Sequence, residues 1–446
     1  MSRARLLQII TVVLLVPQLA FVQQSKRVSV SGLIYDLKHP EPERRKDAAL
    51  LLGQNKVRQA VPGLIELTND PDDSIRLEAV RALVRINDPA ALPTYVRLTK
   101  DPSRSIQEKT IEGMINMYVA EEGGFIRGAQ KFADFINPWS DDYNPLMVEP
   151  YVPVSPDAVT ALAALLSAED DGLREHAAVG LGILRASAAL PAIQEALARE
   201  NVDNVKVELI RAIYKIGDRE AGNAVAPLVR DPEKFVHDEA VFTVGRLRVK
   251  KAVPDMKELY ESGIQESKKI LGVVPITGKD DLQKKLFEGL AYVGDPSCKD
   301  LFLAGLQDER FFYRRYGAEG IGRIGDKGDV STMATAYLRE KDEEAKLALS
   351  FALYRLGRDE HLLELAQGGD QGSSYLLELE SSEVPKLFSY LRSEKDSVKI
   401  RILNVIGLRG DKTALSVVEE FMGYKNADVV SAANLAVRRL RGRFPS

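Results

Sequence analysis

The chain is expected to fold as an all-α, right-handed superhelical solenoid of about ten helix pairs. Three observations lead there. Pro40, Pro71 and Pro102, each in a turn, are spaced by 31 residues, and Pro62 and Pro93 repeat the same interval. Between these markers apolar residues recur at helical spacing, as in Ile75, Ala79, Leu83 and Ile86, and again in Val205, Leu209, Ile213 and Ile216. Strand-like alternation is missing from the pattern. A pair of short amphipathic helices cannot bury its apolar stripes alone, so successive pairs have to stack.

Composition sets the outer bounds. The 446 residues are 45% hydrophobic and 28% charged, enough apolar material for a sizeable core. Sixty-one Lys and Arg stand against 65 Asp and Glu, a net charge of -4, which removes the general case for a basic nucleic-acid binder. A single cysteine, Cys298, rules out an internal disulfide framework and a Cys-based zinc cluster. Only four histidines are available for metal or proton chemistry: His39, His176, His237 and His361.

The first element is a targeting segment at residues 1–23. Arg3 and Arg5 precede an apolar run from Leu6 to Val16, then Pro17 and Ala20. A basic start, a short apolar stretch and a breaker form a secretory signal. The run extends to Val22, about the lower limit of a spanning helix, so an uncleaved anchor is the alternative to a cleaved signal. Both place the bulk of the chain outside the cytoplasm, periplasmic or secreted, with membrane contact only through an uncleaved N-terminal helix.

Repeats then occupy residues 33–119 and resume over 157–446. Each unit reads as two helices. Proline near the first turn marks the opening helix, at Pro62, Pro93, Pro191, Pro227 and Pro254. Gly-Asp closes many second helices, at Gly217-Asp218, Gly294-Asp295, Gly325-Asp326 and Gly410-Asp411. Glycine there suits a left-handed C-terminal residue, and the aspartate caps the next helix. The motif Val-Arg/Lys-x-x-Ala/Leu-x-x-Ala-x-Gly-x-x-Gly-Asp, with Ala-x-Pro opening the following helix, resembles the bacterial HEAT repeat, in the short variety also found in phycobilisome-lyase relatives. The resemblance covers nearly everything after residue 33. It implies an α-solenoid and leaves function open, because the same repeat serves scaffolds, adaptors and a few enzymes.

Aligned second helices share a polar ladder: Arg45, Arg76, Gln107, Arg174, Lys206, His237, Gln283, Arg314, Lys346 and Lys399. An acidic or amide residue sits five or six places earlier in most units, at Asp70, Asp101, Asn201, Asp231, Asp308 and Glu340. The family resemblance implies that such side chains link adjacent repeats, so the ladder is read as structural and His237 as one of its members rather than a catalyst.

Two interruptions break the period. Residues 120–156 form an aromatic, proline-rich insertion that holds Phe125, Phe132, Phe135, the only tryptophan Trp139, Tyr143 and Tyr151. Aromatic residues in such a loop offer large contact area at low entropy cost and suit docking; folding of the same rings onto the solenoid is the competing account. Asp141-Asp142 lacks the oxygen ligands a cation site requires. The second interruption, a loop insertion at 263–279, lies inside one unit and should emerge from the opposite edge. A glycine-rich stretch at 367–374 reads as a flexible joint.

Nucleophile elbows, His-Glu zinc helices, Cys-x-x-Cys pairs and dinucleotide loops are all missing from the sequence, so no catalytic residue, metal or cofactor is assigned. The preferred function is a non-catalytic exported scaffold that holds a protein partner through the concave face and the 120–156 insertion. Arg81, Arg211 and Arg315 are the candidate contacts on second helices. Second helices lean basic and first helices acidic, which leaves room in the groove for a partner with an anionic surface; nucleic acid is not expected. Two alternatives stay open: a bilin-lyase-like or other enzyme accessory protein with a small-molecule pocket, and a membrane-tethered envelope scaffold.

Overall fold

The computed structural model describes residues 29–122, 146–270 and 277–444. Within them the chain is an α-solenoid of stacked helix pairs. The first three pairs are α1 (Val30–Asp36) with α2 (Pro42–Gln54), α3 (Val61–Leu67) with α4 (Asp73–Ile86), and α5 (Leu92–Leu98) with α6 (Arg104–Glu122). After residue 145 the stack continues with α7 (Pro156–Leu165) and α8 (Asp171–Ile183), then α9 (Leu190–Arg199) and α10 (Asp203–Ile216). In the sixth pair two 3-10 turns, Ala221–Ala224 and Ala226–Arg230, replace the first helix and lead to α11 (Lys234–Arg246). The pair α12 (Val253–Ile270) and α13 (Thr277–Val293) is longer than its neighbours. It is followed by α14 (Lys299–Gly305) with α15 (Phe311–Ile324) and α16 (Val330–Arg339) with α17 (Glu343–Arg355). The last three pairs are α18 (Leu362–Gln367) with α19 (Gly369–Leu376), α20 (Phe388–Ser393) with α21 (Asp396–Arg409), and α22 (Leu415–Glu419) with α23 (Ala427–Arg443). Twelve pairs are thus present among the described residues, against the ten or so expected, because α18–α19 and the terminal units depart from the motif yet still stack.

Why the units repeat follows from three local devices. First, Val-Pro or Leu-Pro opens α3, α5 and α9, where the missing N–H costs nothing. Second, Asn87, Gly217 and Gly325 end their helices in the left-handed region, at φ 52°, 82° and 74°. Gly410 does not: its φ is -64° and the chain leaves α21 extended, although Asp411 still caps the next turn by accepting from the Thr413 N–H. Third, each second helix presents a small residue to the next. A Cβ on Gly53 would fall 2.6 Å from Ala82 Cα, one on Gly322 2.8 Å from Ala352 Cα, and one on Gly407 2.9 Å from Ala436 Cα. Backbones that close bury the flanking Leu83, Ile321 and Ile406 fully and leave no room for a longer side chain.

The first-turn ladder is the connector between units. Arg76 Nη1–H donates to the carbonyls of Asp70 and Pro71 at 2.9 and 3.2 Å, while Nε and Nη2 donate to the carboxylate of Asp101 in the next unit at 3.0 and 3.1 Å. Arg45 makes the same pattern with His39, Pro40 and Asp70. Arg174 does so with Ala168, Glu169 and Glu200, and Arg314 with Asp308, Glu309 and Glu340. One side chain therefore satisfies orphan carbonyls of its own turn and fixes the next unit's turn. The partner carboxylate itself caps the local N–H groups, as Asp101 does for Ser103. In the fourth-to-fifth step the partner is Glu200 and not Asn201. His237 is buried, and burial holds its imidazole below the ordinary value; it is a ladder member.

The second interruption is largely helical: α12 runs to Ile270 and α13 starts at Thr277, so the expected loop at 263–279 is drawn into two prolonged helices, with residues 271–276 outside the described part. It leaves from the N-terminal ends of the second helices, while the first interruption leaves from a second-helix C-terminus, as the chain order requires.

Arg76→Ala should cost about 3 kcal/mol, because it strands a nearly buried carboxylate and two carbonyls. Lys38→Ala, at the exposed Lys38–Glu66 pair, should cost less than about 1 kcal/mol. Denaturant melting of the two variants checks the contrast.

Candidate partner surface

The sequence-predicted contact residues fall into three groups. Phe125, Phe132, Phe135, Trp139 and Tyr143 lie outside the described residues. Tyr151 belongs to the strap 146–155 that follows them. Arg81, Arg211 and Arg315 stand on α4, α10 and α15 and are each paired with neighbouring carboxylates, Arg81 sharing Glu78 with Arg85. Arg81 pairs with Glu78 at 3.4 Å, Arg211 with Glu208 and Glu239 at 2.6 and 3.0 Å, and Arg315 with Glu319 and Glu344 at 3.0 and 2.9 Å. Burial works against the Arg211 guanidinium, and its two glutamates hold it above the ordinary value.

The strap explains how the insertion interrupts the sequence period without breaking the stack. Helix α6 still packs on α8, and Arg104 on α6 reaches Asp170 at 2.8 Å. The Ser155 N–H donates to Tyr118 Oη at 3.0 Å, which ties the strap's end to α6. The Val148 N–H donates to the Ile183 carbonyl at 2.9 Å, which lays its start along the end of α8. Its outer side meets the last helix. Arg439 Nε–H donates to Glu149 at 2.9 and 3.0 Å, and Gly442 lies so close to Tyr151 that a Cβ would come within 2.4 Å of the tyrosine Cβ. The solenoid thus curls until α23 touches the segment that precedes α7. Beneath the strap is an open cavity of about 660 Å3, lined by valines and alanines with Leu184, and also by the polar Glu149, Thr160, Arg185 and Ser187.

The C-terminal ends of the second helices follow one another along the stack. There a second cationic row appears, nine residues after the first-turn ladder. Arg85, Lys215, Arg246, Arg323 and Arg355 follow positions 76, 206, 237, 314 and 346, and Tyr292 follows 283. Cations in a last turn complement the helix dipole. The row is knitted by stacking: Arg246 and Arg323 lie over the Tyr292 ring at 3.8 and 4.3 Å.

Its centre is braced by a carboxylate from far along the chain. Glu378, just past α19, accepts from Arg323 at 2.8 Å and also from Arg248 in the turn after α11. Arg323 is 1% exposed and its other partner, Glu319, is fully buried; Glu319 also accepts from Tyr375 Oη at 2.6 Å. Burial opposes both charges, but the guanidinium is held above its ordinary value by Glu378 and Glu319, and Glu378 is held below its own by Arg323 and Arg248. The Tyr375 ring stacks on Phe351 at 4.5 Å. The glycine-rich stretch expected to be a joint is therefore the start of a strut: Gly369 takes φ 65° and directs α19 inward. The last-turn row and its brace were missed in the sequence. The nine-residue offset was readable there, but Glu378 carried no local signal, since its partners lie 55 and 130 residues away.

The comparisons agree with this architecture. Residues 30–115 match the family model described as HEAT repeats. The same pairing continues to Arg443, which supports a HEAT-repeat protein, an α-solenoid of the class that commonly mediates protein–protein interaction. No curated protein matches the chain. Among the described residues no group of three or more His, Cys, Asp or Glu is placed to hold a metal ion, and no helix is long and apolar enough to cross a membrane.

Glu378 carries a sign for acid stability. Its folded value lies below the ordinary 4.5, so its contribution is full above that value and is lost as the pH falls through the folded one. Glu378→Gln should lower the melting temperature at pH 7, and the difference from the unaltered protein should shrink below pH 4.5. A pH series of melting curves checks both.

Proposed function

We propose that the protein is a non-catalytic, exported scaffold that holds a macromolecular partner with an anionic surface along the inner edge of the solenoid. The observation that carries this reading is two exposed arginines where second helices end, Arg246 of the last-turn row and Arg219 in the turn after α10. The mid-helix arginines are consumed by neighbouring glutamates, whereas Arg246 is exposed and engages aromatic rings, and Arg219 is exposed and has no carboxylate partner among the described residues. Charge left over on one edge attracts anionic partners and speeds their encounter. The strap that follows the aromatic insertion in the chain meets the arginine-rich end of α23, which supports counting the insertion in the contact. Export follows from the N-terminal run of residues 6–16 behind Arg3 and Arg5, with a cleaved signal or a retained anchor as its two forms.

The cavity beneath the strap favours the alternative of an accessory protein with a small-molecule pocket. Its valine and alanine lining suits an apolar group, and its one acidic residue, Glu149, is engaged by Arg439.

Deletion of residues 123–145 should leave the melting temperature within a few degrees and abolish capture of the partner from envelope extracts. An unchanged set of captured proteins with a folded variant would remove the insertion from the contact. N-terminal sequencing of the exported protein should find a new terminus near residue 21; an intact start would establish the anchor.

A further inference from the structure

We propose that the cavity beneath the strap is a site for a free aliphatic monocarboxylate, with Arg185 holding the carboxylate and the valine and alanine wall holding the tail. The proposal rests on the small-molecule reading of that cavity and leaves the scaffold reading untouched.

The cavity is bounded on one side by Val148, Val152 and Val154 of the strap, and on the other by α7, the turn after α8 and the start of α9. Its volume of about 660 Å3 lies within the roughly 300–1,000 Å3 typical of small-ligand clefts. Val159, Ala163, Leu184, Ala189 and Ile216 supply small and branched aliphatic groups, and no aromatic ring is among the described lining residues. Such a wall buries a flexible alkyl chain and gives a planar ligand nothing to stack on.

The charged groups of the lining are unequally satisfied. Glu149 is its one carboxylate among the described residues, and Arg439 Nε–H already donates to both of its oxygens at 2.9 and 3.0 Å. Arg185 is half-buried, and its guanidinium has no hydrogen-bond or carboxylate partner among the described residues. A left-handed backbone, φ 49°, fixes it in the turn after α8. From there Nη2 reaches the Ile216–Gly217 end of α10, where a Cβ on Gly217 would stand 3.9 Å away. Ile216 lines the cavity as well, so the guanidinium lies at its boundary. Ser187, whose N–H donates to the Arg185 carbonyl at 2.8 Å, adds an exposed hydroxyl in the same turn. One unmatched cation calls for one negative charge, and the planar guanidinium fork fits a carboxylate bidentately. A monoanion with an apolar tail satisfies both the cation and the wall, whereas an alcohol of the same length satisfies only the wall.

Calorimetric titration of the full chain with decanoate tests the site. One decanoate should bind per chain, about tenfold more tightly than octanoate because of its two further methylenes, and more tightly than decanol. Arg185→Gly removes the charge at a left-handed residue that glycine accepts, as Gly357 does in the corresponding turn after α17. It should weaken decanoate about tenfold and leave decanol unchanged. Arg185→Lys, which keeps the charge as Lys56 does in the corresponding turn after α2, should lose less. Decanol binding as tightly as decanoate, or decanoate affinity unchanged in a folded Arg185→Gly, would keep a small-molecule pocket and overturn the carboxylate site. Binding of neither compound would remove the pocket reading with it. Decanoate binding that appears only once residues 123–145 are deleted would make the insertion the occupant and overturn the proposal as well.

Discussion

The structure depends on one repeated interaction, the first-turn cation that ties its own turn to the carboxylate of the next unit. A HEAT-type pair exposes two costs when it stands alone: the apolar stripe of its second helix and the unpaired carbonyls of the inter-helix turn. Arg76 addresses both, because the same guanidinium that fills the Asp70 and Pro71 carbonyls holds Asp101 and thereby sets the stacking distance. At that distance Gly53 meets Ala82 and the stripes close. Departures from the consensus show the same constraint: Gln107 Nε2–H still donates to the Thr99 carbonyl, and across the insertion Arg104 takes over the reach to Asp170.

Charge on the second helices is sorted by position. First-turn cations are structural, mid-helix cations are paired in place with Glu78, Glu208, Glu239 or Glu319, and of the last-turn cations Arg85, Arg323 and Arg355 meet Glu78, Glu378 and Glu383 while Arg246 stays exposed against aromatic rings. That order refines the idea of a uniformly basic concave face. Exposed Arg246 stands at the edge where the helices end, where their dipoles favour it. The Glu378 strut has a double role in that setting: it ties the end of α19 to α15 and pairs with both Arg323 and Arg248.

Fold class was legible because its signals are local. Proline spacing, Gly-Asp ends and helical stripes each fall within one unit, and they located the pairs and the ladder. The number of pairs was less legible, since α18 and α19 are short and lack the motif. What the sequence could not show were contacts that depend on curvature. Nothing near Glu149 or Tyr151 points to Arg439 and Gly442, and nothing near Glu378 points to Arg248; these meetings exist only once the units have stacked. Arg81, Arg211 and Arg315 were chosen for charge, and the glutamates that neutralise them are visible in the sequence as neighbours three to four residues away or one unit on, a pattern that helix spacing makes readable.

The central claim is that cations nine residues apart on the same helices do different work. The most direct test is the melting temperature of two variants on one helix, Arg76→Ala and Arg85→Ala. The account predicts a large fall for the first and a value within about a degree or two of the unaltered protein for the second. Equal falls, or a fall confined to the second, would contradict it.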